Sequence, residues 1–271
     1  MRDERHLSFK PQLENIQAAC DFVVQAAEAA GLDERSTYHC QLAVDEACTN
    51  IIEHGFNTDE DKPNGQINLM TGIEDPNTFV IAISDNSRAF NPITYKEPDP
   101  AQPLSEREVG GWGIYFIKKL MDMVDYRYVD GKNNLTLHKY VGQSLASTSS
   151  YSDREVDISS EPLAKDYIHI LLRGQVDSHT SITVETALDE TIVAQGHHRL
   201  IIDFSEVSYI SSSGLKVLVS AWRKAREKGG DVLLVGLQSR IYEVFEMIGF
   251  DMMFNIYDSV HDALEADPIG K

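Results

Sequence analysis

Apolar residues recur every three to four positions along Asn15–Ala30, and the run stops at Gly31, which predicts an amphipathic helix. A second helical period runs from Ser36 to His54 and closes at Gly55. Two runs of strand character follow, Gln66–Thr71 and Phe79–Ser84. Arg88–Val109 carries four prolines and little regular pattern, so it reads as a long loop of the kind that commonly forms a lid or binding segment. A helix starts near Trp112, and strands at Val124–Val129 and Asn134–Tyr140 end this half. The second half alternates. Strands at Ile168–Leu172, Arg199–Phe204, Val232–Val235 and Phe254–Ile256 are separated by helices at Ser181–Ala194, Gly214–Lys228 and Ser239–Ile248, with Val260–Ala266 last. Such alternation predicts a sheet layered with helices.

Between the halves, Gly142–Pro162 reads GQSLASTSSYSDREVDISSEP, rich in serine and without an apolar period. It is expected to be a linker, which divides the chain into residues 1–142, a linker at 143–163 and residues 164–271. A flexible segment of ~20 residues reaches about 25 Å, so the halves are free to dock or to move apart. No internal repeat is visible.

Charge narrows the function. The chain has 24 basic and 43 acidic residues, a formal net charge of -19, which argues against nucleic acid and anionic membrane as direct partners. No run of ~18 apolar residues is present, and MRDERHLSFKPQ lacks the apolar centre of a signal peptide, so a cytoplasmic location is expected. Cys20, Cys40 and Cys48 have no metal-ligand spacing and are expected to be buried thiols.

Candidate chemistry lies on the second helix, in QLAVDEACTNIIEHGF. Leu42, Ala43, Ala47 and Ile51 form a core-facing stripe, while Glu46, Asn50 and Glu53 share another face. A carboxamide oxygen is a hard ligand suited to Mg2+, and a carboxylate one turn away can take a proton from a hydroxyl nucleophile. The same spacing also fits a solvated polar face. Two further segments bear on the choice. DNSRAFNP puts Asp85 at a strand end, where it can accept a hydrogen bond from an exocyclic amine. GGWGI, residues 110–114, puts glycines just before a helix, where the backbone can approach a phosphate chain.

These segments, in this order, resemble the GHKL ATPases in the version found in anti-sigma factor serine kinases. DEACTNIIEHGF resembles their N box, DNSRAFNP their first glycine box, and GGWGIYFIKKLMD their second; the resemblance covers about residues 5–141. It implies a two-layer α/β sandwich that binds ATP and Mg2+. It further implies Glu46 as general base, Asn50 as metal and nucleotide residue, Asp85 as the adenine-reading residue, and Gly111 and Gly113 as glycines of the phosphate lid. Ser87 departs from the pattern, because the first box usually carries glycine there. A side chain at that position is expected to crowd the nucleotide or to require another backbone angle. His54, at the end of the N-box helix, reads as structural.

The second half has its own informative stretch, in which the strand Leu200–Phe204 leads to Ser211-Ser212-Ser213-Gly214 and an amphipathic helix. Serines there cap helices well. A serine at a helix start is equally well placed as a phosphoacceptor, since the added charge meets the positive end of the helix. DFSEVSYISSSGL resembles the STAS domain of anti-sigma factor antagonists, over about residues 164–268. That resemblance implies a four-helix, mixed-sheet α/β domain, with Ser213 as the phosphoacceptor before the Gly-Leu pair. Ser211 stands where sporulation-type members carry aspartate.

Together the resemblances imply a partner-switching regulator. Its kinase half would phosphorylate a serine on a STAS-domain protein or on Ser213 itself, and its partners would include such a protein, a sigma factor, or its own STAS half through kinase–STAS docking. Fusion raises the local concentration of Ser213 to roughly the millimolar range if the geometry permits contact. The alternative is a docking switch that binds nucleotide and partners without phosphoryl transfer, and Ser87 motivates it.

Overall fold

The computed structural model describes residues 1–56, 64–74, 77–95, 98, 111–142 and 156–266. The chain divides into two compact units, each considered by itself.

In the first unit, β1 (Arg2–Phe9), β2 (Ile67–Glu74), β3 (Thr78–Asp85), β4 (Met123–Val129) and β5 (Lys132–Tyr140) form one sheet in the order β1-β2-β3-β5-β4. Every neighbouring pair is antiparallel. Helices α1 (Ile16–Ala29), α2 (Glu34–Asn50) and α3 (Trp112–Leu120) supply the second layer. One core joins Ala19, Val23 and Ala27 of α1, Ala43, Ala47 and Cys48 of α2, and Ile117 of α3 to Leu69, Phe79, Ile81, Ile83 and Leu137 of the sheet. The helical periods in the sequence are therefore the faces that meet the sheet. α1 stops where expected, because Gly31 takes a left-handed φ of 86°.

In the second unit, β6 (Asp157–Pro162), β7 (Ile168–Val176), β8 (Arg199–Ile210), β9 (Asp231–Val235) and β10 (Asn255–Tyr257) form a sheet in the order β10-β9-β8-β7-β6. It is parallel except for β6, which runs antiparallel to β7. Four helices accompany it, α4 (Ser181–Asp189), α5 (Ser212–Glu227), α6 (Ser239–Met247) and α7 (Val260–Ala266). An aromatic cluster closes one end of the core, with Phe245 packed edge-on to Phe204, Phe250 and Phe254 at centroid distances of 6.3, 5.7 and 6.3 Å. The α/β fold class, a two-layer sandwich followed by a mixed-sheet domain, is as expected.

Two strands escape the sequence pattern, and both are sheet edges. β1, RDERHLSF, is charged and mostly exposed, and β6, DISSEP, is exposed at every residue but one. Edge strands bury little, and charge there blocks pairing with other chains, so neither shows apolar alternation. β6 also corrects the linker expectation. Residues 157–162 are not linker but a strand hydrogen-bonded along β7, from Asp157 opposite Arg173 to Pro162 opposite Ile168. Residues 143–155 of the expected linker lie outside the described residues, as do 96–97 and 99–109 of the expected loop. Among the described residues, no helix is long and apolar enough to cross a membrane.

Candidate functional site

α2 begins at a strong cap: the Ser36 amide donates to Asp33 Oδ1 at 2.7 Å. From Thr37 to Thr49 every residue of the helix is buried, and Glu46 is 3% exposed. At Asn50 the helix changes winding. Ile51–Gly55 forms a π turn closed by the Phe56 amide donating to Ile51 O at 3.1 Å. Single π turns inside helices are frequent at functional sites. Here the wider turn follows the residue expected to hold a metal.

α3 brings its glycines to this helix. Gly111 is the N-cap, with a left-handed φ of 88° that favours glycine. Gly113, two residues on, lies against α2. A Cβ at Gly113 would overlap the Glu46 carboxylate and stand 3.2 Å from Asn50 Nδ2. Glu46, Asn50 and Gly113, 67 positions apart at the extremes, thus meet at one point. The other end of α3 is pinned: Lys139 Nζ donates to Leu120 O at 2.7 Å, and the Tyr140 amide donates to Asp122 Oδ2 at 2.7 Å.

Asn50 also lines a cavity of about 240 Å³, together with His54, Gly55, Asp85, Ser87, Phe90, Ile114, Tyr126 and Asn133. That is slightly below the roughly 300–1,000 Å³ typical of sites enclosing a drug-sized ligand. Asp85 is 3% exposed. Its Oδ1 accepts from the Ser87 amide and from Asn133 Nδ2, both at 2.9 Å.

Ser87 demands no unusual backbone. Among the described residues, the non-glycine positions with left-handed φ are Asp3, Asp130, Lys165 and Asp166. Its side chain points at Gly55, where a Cβ would collide with it. The glycine missing at 87 is matched by a glycine opposite. His54, expected to be structural, is exposed and lines the cavity. The thiols fit their expectation: all three are buried and none forms a disulfide. Burial pushes Cys40 up to about 12, and burial with the Asp45 and Asp85 charges raises Cys48 further, so neither is a nucleophile at neutral pH.

In the second unit the expected acceptor serines occupy the start of α5. Ser211 is fully buried and caps the helix, its hydroxyl accepting from the Gly214 amide at 3.4 Å. Ser212 is buried at 4% exposure, while Ser213 is half-buried in the first helical turn. The Ser211 amide donates to Val176 O at 2.9 Å, which ties the loop to the end of β7. Beside it, the Asp177 carboxylate accepts from the amides of His179 and Thr180 at 2.9 and 2.7 Å and so fixes the turn that starts α4. The helix N-terminus at Ser211–Ser213 is thus a rigid, donor-rich end.

The family model for the histidine kinase-like ATPase domain matches residues 9–139, and that for the STAS domain matches residues 164–263. Over the second stretch, the anti-sigma-B factor antagonist of Listeria monocytogenes is 36% identical across 91 residues, 34% of this chain and 79% of that protein. The chain joins a histidine kinase-like ATPase domain to a STAS domain of the anti-sigma factor antagonist family. The ATPase domain is similar to the serine-protein kinase RsbW of Listeria monocytogenes, at 28% identity over 46% of this chain and 80% of that protein. A solved anti-sigma factor antagonist from Mycobacterium paratuberculosis aligns with 41% of this chain and 93% of its own length, at 26% identity and a TM-score of 0.38.

Of the residues expected to act in the ATPase domain, Glu46, Asn50 and Gly113 meet at α2, Asp85 joins Asn50 at the cavity, and Gly111 caps α3. The sequence reading missed Asn133, Tyr126 and Gly55. The Asp130-Gly131 pair marks the hairpin that carries the first two, but not its register against Asp85. Both residues have positive φ, 52° and 75°, and form the two-residue turn that sets the register of β4 on β5.

Proposed function

We propose that this chain is an ATP-dependent protein serine kinase of the anti-sigma factor type, with Ser213 of a STAS domain as the acceptor. The observation that carries the reading is the meeting of Glu46, Asn50 and Gly113 beside a cavity that holds Asp85. Asp85 takes the exocyclic amine of adenine. Asn50, at the rim where α2 changes winding, offers its carboxamide oxygen to Mg2+. An ion held there by one carboxamide would take its remaining ligands from phosphate oxygens and water. When bound, Mg2+ neutralises charge on the transferring phosphoryl group. Glu46 accepts the proton of the attacking serine hydroxyl. Gly111 and Gly113 let the start of α3 approach the phosphates without a side chain between.

The acceptor is Ser213 of the same chain, of a second copy, or its counterpart in a separate STAS protein. Ser213 is favoured within its triplet because Ser211 is spent as a cap and Ser212 is buried. The named relatives, a serine-protein kinase and an anti-sigma factor antagonist, support regulation of a sigma factor or a related target as the output.

The test is incubation of the full chain with Mg2+ and γ-labelled ATP, followed by phosphopeptide mapping. Label at Ser213, lost in Glu46→Gln, is the expected result. Label that survives Ser213→Ala but disappears in Ser212→Ala moves the acceptor by one position. ATP binding without transfer to this chain or to an added STAS protein leaves the docking switch. A dilution series separates the routes, since only transfer between molecules slows with dilution.

A further inference from the structure

Asn133 is a carboxamide committed at both ends. It sits at the start of β5 with 4% exposure, opposite Asp85 on β3 and opposite Tyr128 on β4. Its Oδ1 accepts from the Tyr126 hydroxyl at 2.6 Å and from the Phe90 amide at 3.1 Å. Its Nδ2 donates to Asp85 Oδ1 at 2.9 Å, and Ser87 Oγ, Ser87 O and Arg88 O lie at 3.3, 3.4 and 3.3 Å around the same nitrogen. The surroundings fix which end is which. A backbone amide can only donate, so Phe90 N faces the oxygen, and a carboxylate and two carbonyls can only accept, so they surround the nitrogen. Burial, with the Asp85 charge adding to it, raises Tyr126, which keeps its hydroxyl protonated as a donor.

We infer that Asn133 is a positioning residue for purine selection, one that holds Asp85 as a pure acceptor toward the base and so favours adenine over guanine. The Ser87 amide and Asn133 Nδ2 both donate to Oδ1 and so hold the carboxylate against rotation, and Asp85 lines the cavity, where its other oxygen would serve as the acceptor for a base. Adenine offers an amine at its six position and guanine a carbonyl oxygen. An acceptor pairs with the first and repels the second. The same carboxamide holds Phe90 N, so it also fixes the loop that walls the base. This rests on the nucleotide-binding reading of the cavity.

Asn133→Asp isolates the donor. The variant is isosteric and still accepts from Tyr126 and Phe90, but it sets a second carboxylate against Asp85. Two carboxylates this close share a proton, and Asp85 is then no longer a fixed acceptor. Tyr126→Phe is the milder arm, since it removes one bond that orients Asn133 and leaves Asp85 untouched. The measurement is displacement of a fluorescent ADP analogue from the full chain by ADP and by GDP. The wild-type chain is expected to prefer ADP by at least about tenfold, Asn133→Asp to lower the ratio by about tenfold, and Tyr126→Phe to lower it by less. The ratio does not depend on the folded fraction. Equal weakening of ADP and GDP in Asn133→Asp assigns the residue a purely structural role and overturns the inference. A wild-type chain that binds both diphosphates equally overturns it too, while leaving the kinase reading standing. A wild-type chain that binds neither removes both.

Discussion

Each domain starts a helix on a tightly packed glycine, and the two glycines do different work. At Gly113 a side chain would meet the Glu46 carboxylate and the Asn50 carboxamide, which are the groups of the proposed chemistry. At Gly214 a side chain would come within 2.8–2.9 Å of Val176 Cγ1, Ile210 Cγ1 and Val176 O, which are the ends of β7 and β8. The first glycine lets a helix approach the groups of the proposed chemistry, whereas the second lets a helix seat on a sheet. In sequence they look alike, a glycine in the first turn of an amphipathic helix. What distinguishes them is the neighbour each closes upon, and that neighbour is 67 residues away for Gly113 and 38 for Gly214.

The strongest way to break this contrast is at Glu46. Glu46→Gln removes a proton acceptor while keeping size and burial, so phosphoryl transfer should fall by about 10²–10⁴-fold with ADP binding retained. Transfer assays and analogue binding on one preparation read both quantities. Transfer that persists near the wild-type rate would remove Glu46 as base and leave Gly113 a packing glycine like Gly214.

The paired substitution comes next. Gly113→Ala should displace Glu46 or Asn50 and lower transfer by about 10²-fold, in the way that small misplacements of reacting groups do. Gly214→Ala should instead destabilise the STAS domain by about 1–3 kcal/mol through overpacking, with little change in ADP affinity. Scanning calorimetry and analogue binding on the full chain give the two profiles. Equal loss of binding in both variants would erase the distinction.

Legibility in the sequence follows the same division. α2 and α5 could be read in advance because their apolar faces are continuous and their ends carry caps. Asp85 and the glycines could be read because a motif carries them. β1 and β6 could not, since an edge strand exposed to solvent needs no alternation. Nor could Asn133 or Gly55. Asn133 is meaningful only through the register that places it opposite Asp85, and Gly55 only through the Ser87 side chain it accommodates. The helix ends shifted for a local reason: α2 and α4 both pass into π turns, at Ile51–Gly55 and Glu190–Ala194, which an apolar period does not distinguish from a continuing α-helix.

The two helix caps give the smallest effects and the finest comparison. α2 is capped by a carboxylate, Asp33, at 2.7 Å, and α5 by a hydroxyl, Ser211, at 3.4 Å. Replacing either by alanine should cost about 0.5–2 kcal/mol at neutral pH, with the shorter, charged bond at Asp33 toward the upper end. Only one of the two should depend on acid. The hydrogen bond from the Ser36 amide holds Asp33 below its ordinary value of 3.8. A carboxylate lowered in the folded state stabilises fully above the unfolded value, and its contribution is lost as pH falls from there through the folded value. The difference in stability between wild type and Asp33→Ala should therefore be constant from neutral pH down to about 5 and shrink below about 4. The difference between wild type and Ser211→Ala should not change over the same range, because a serine hydroxyl does not titrate. Urea unfolding of the four proteins, wild type, both single variants and the double variant, at several pH values between 7 and 3 measures both. A pH-independent Asp33 difference would mean that the α2 cap acts by shape alone, as the α5 cap does.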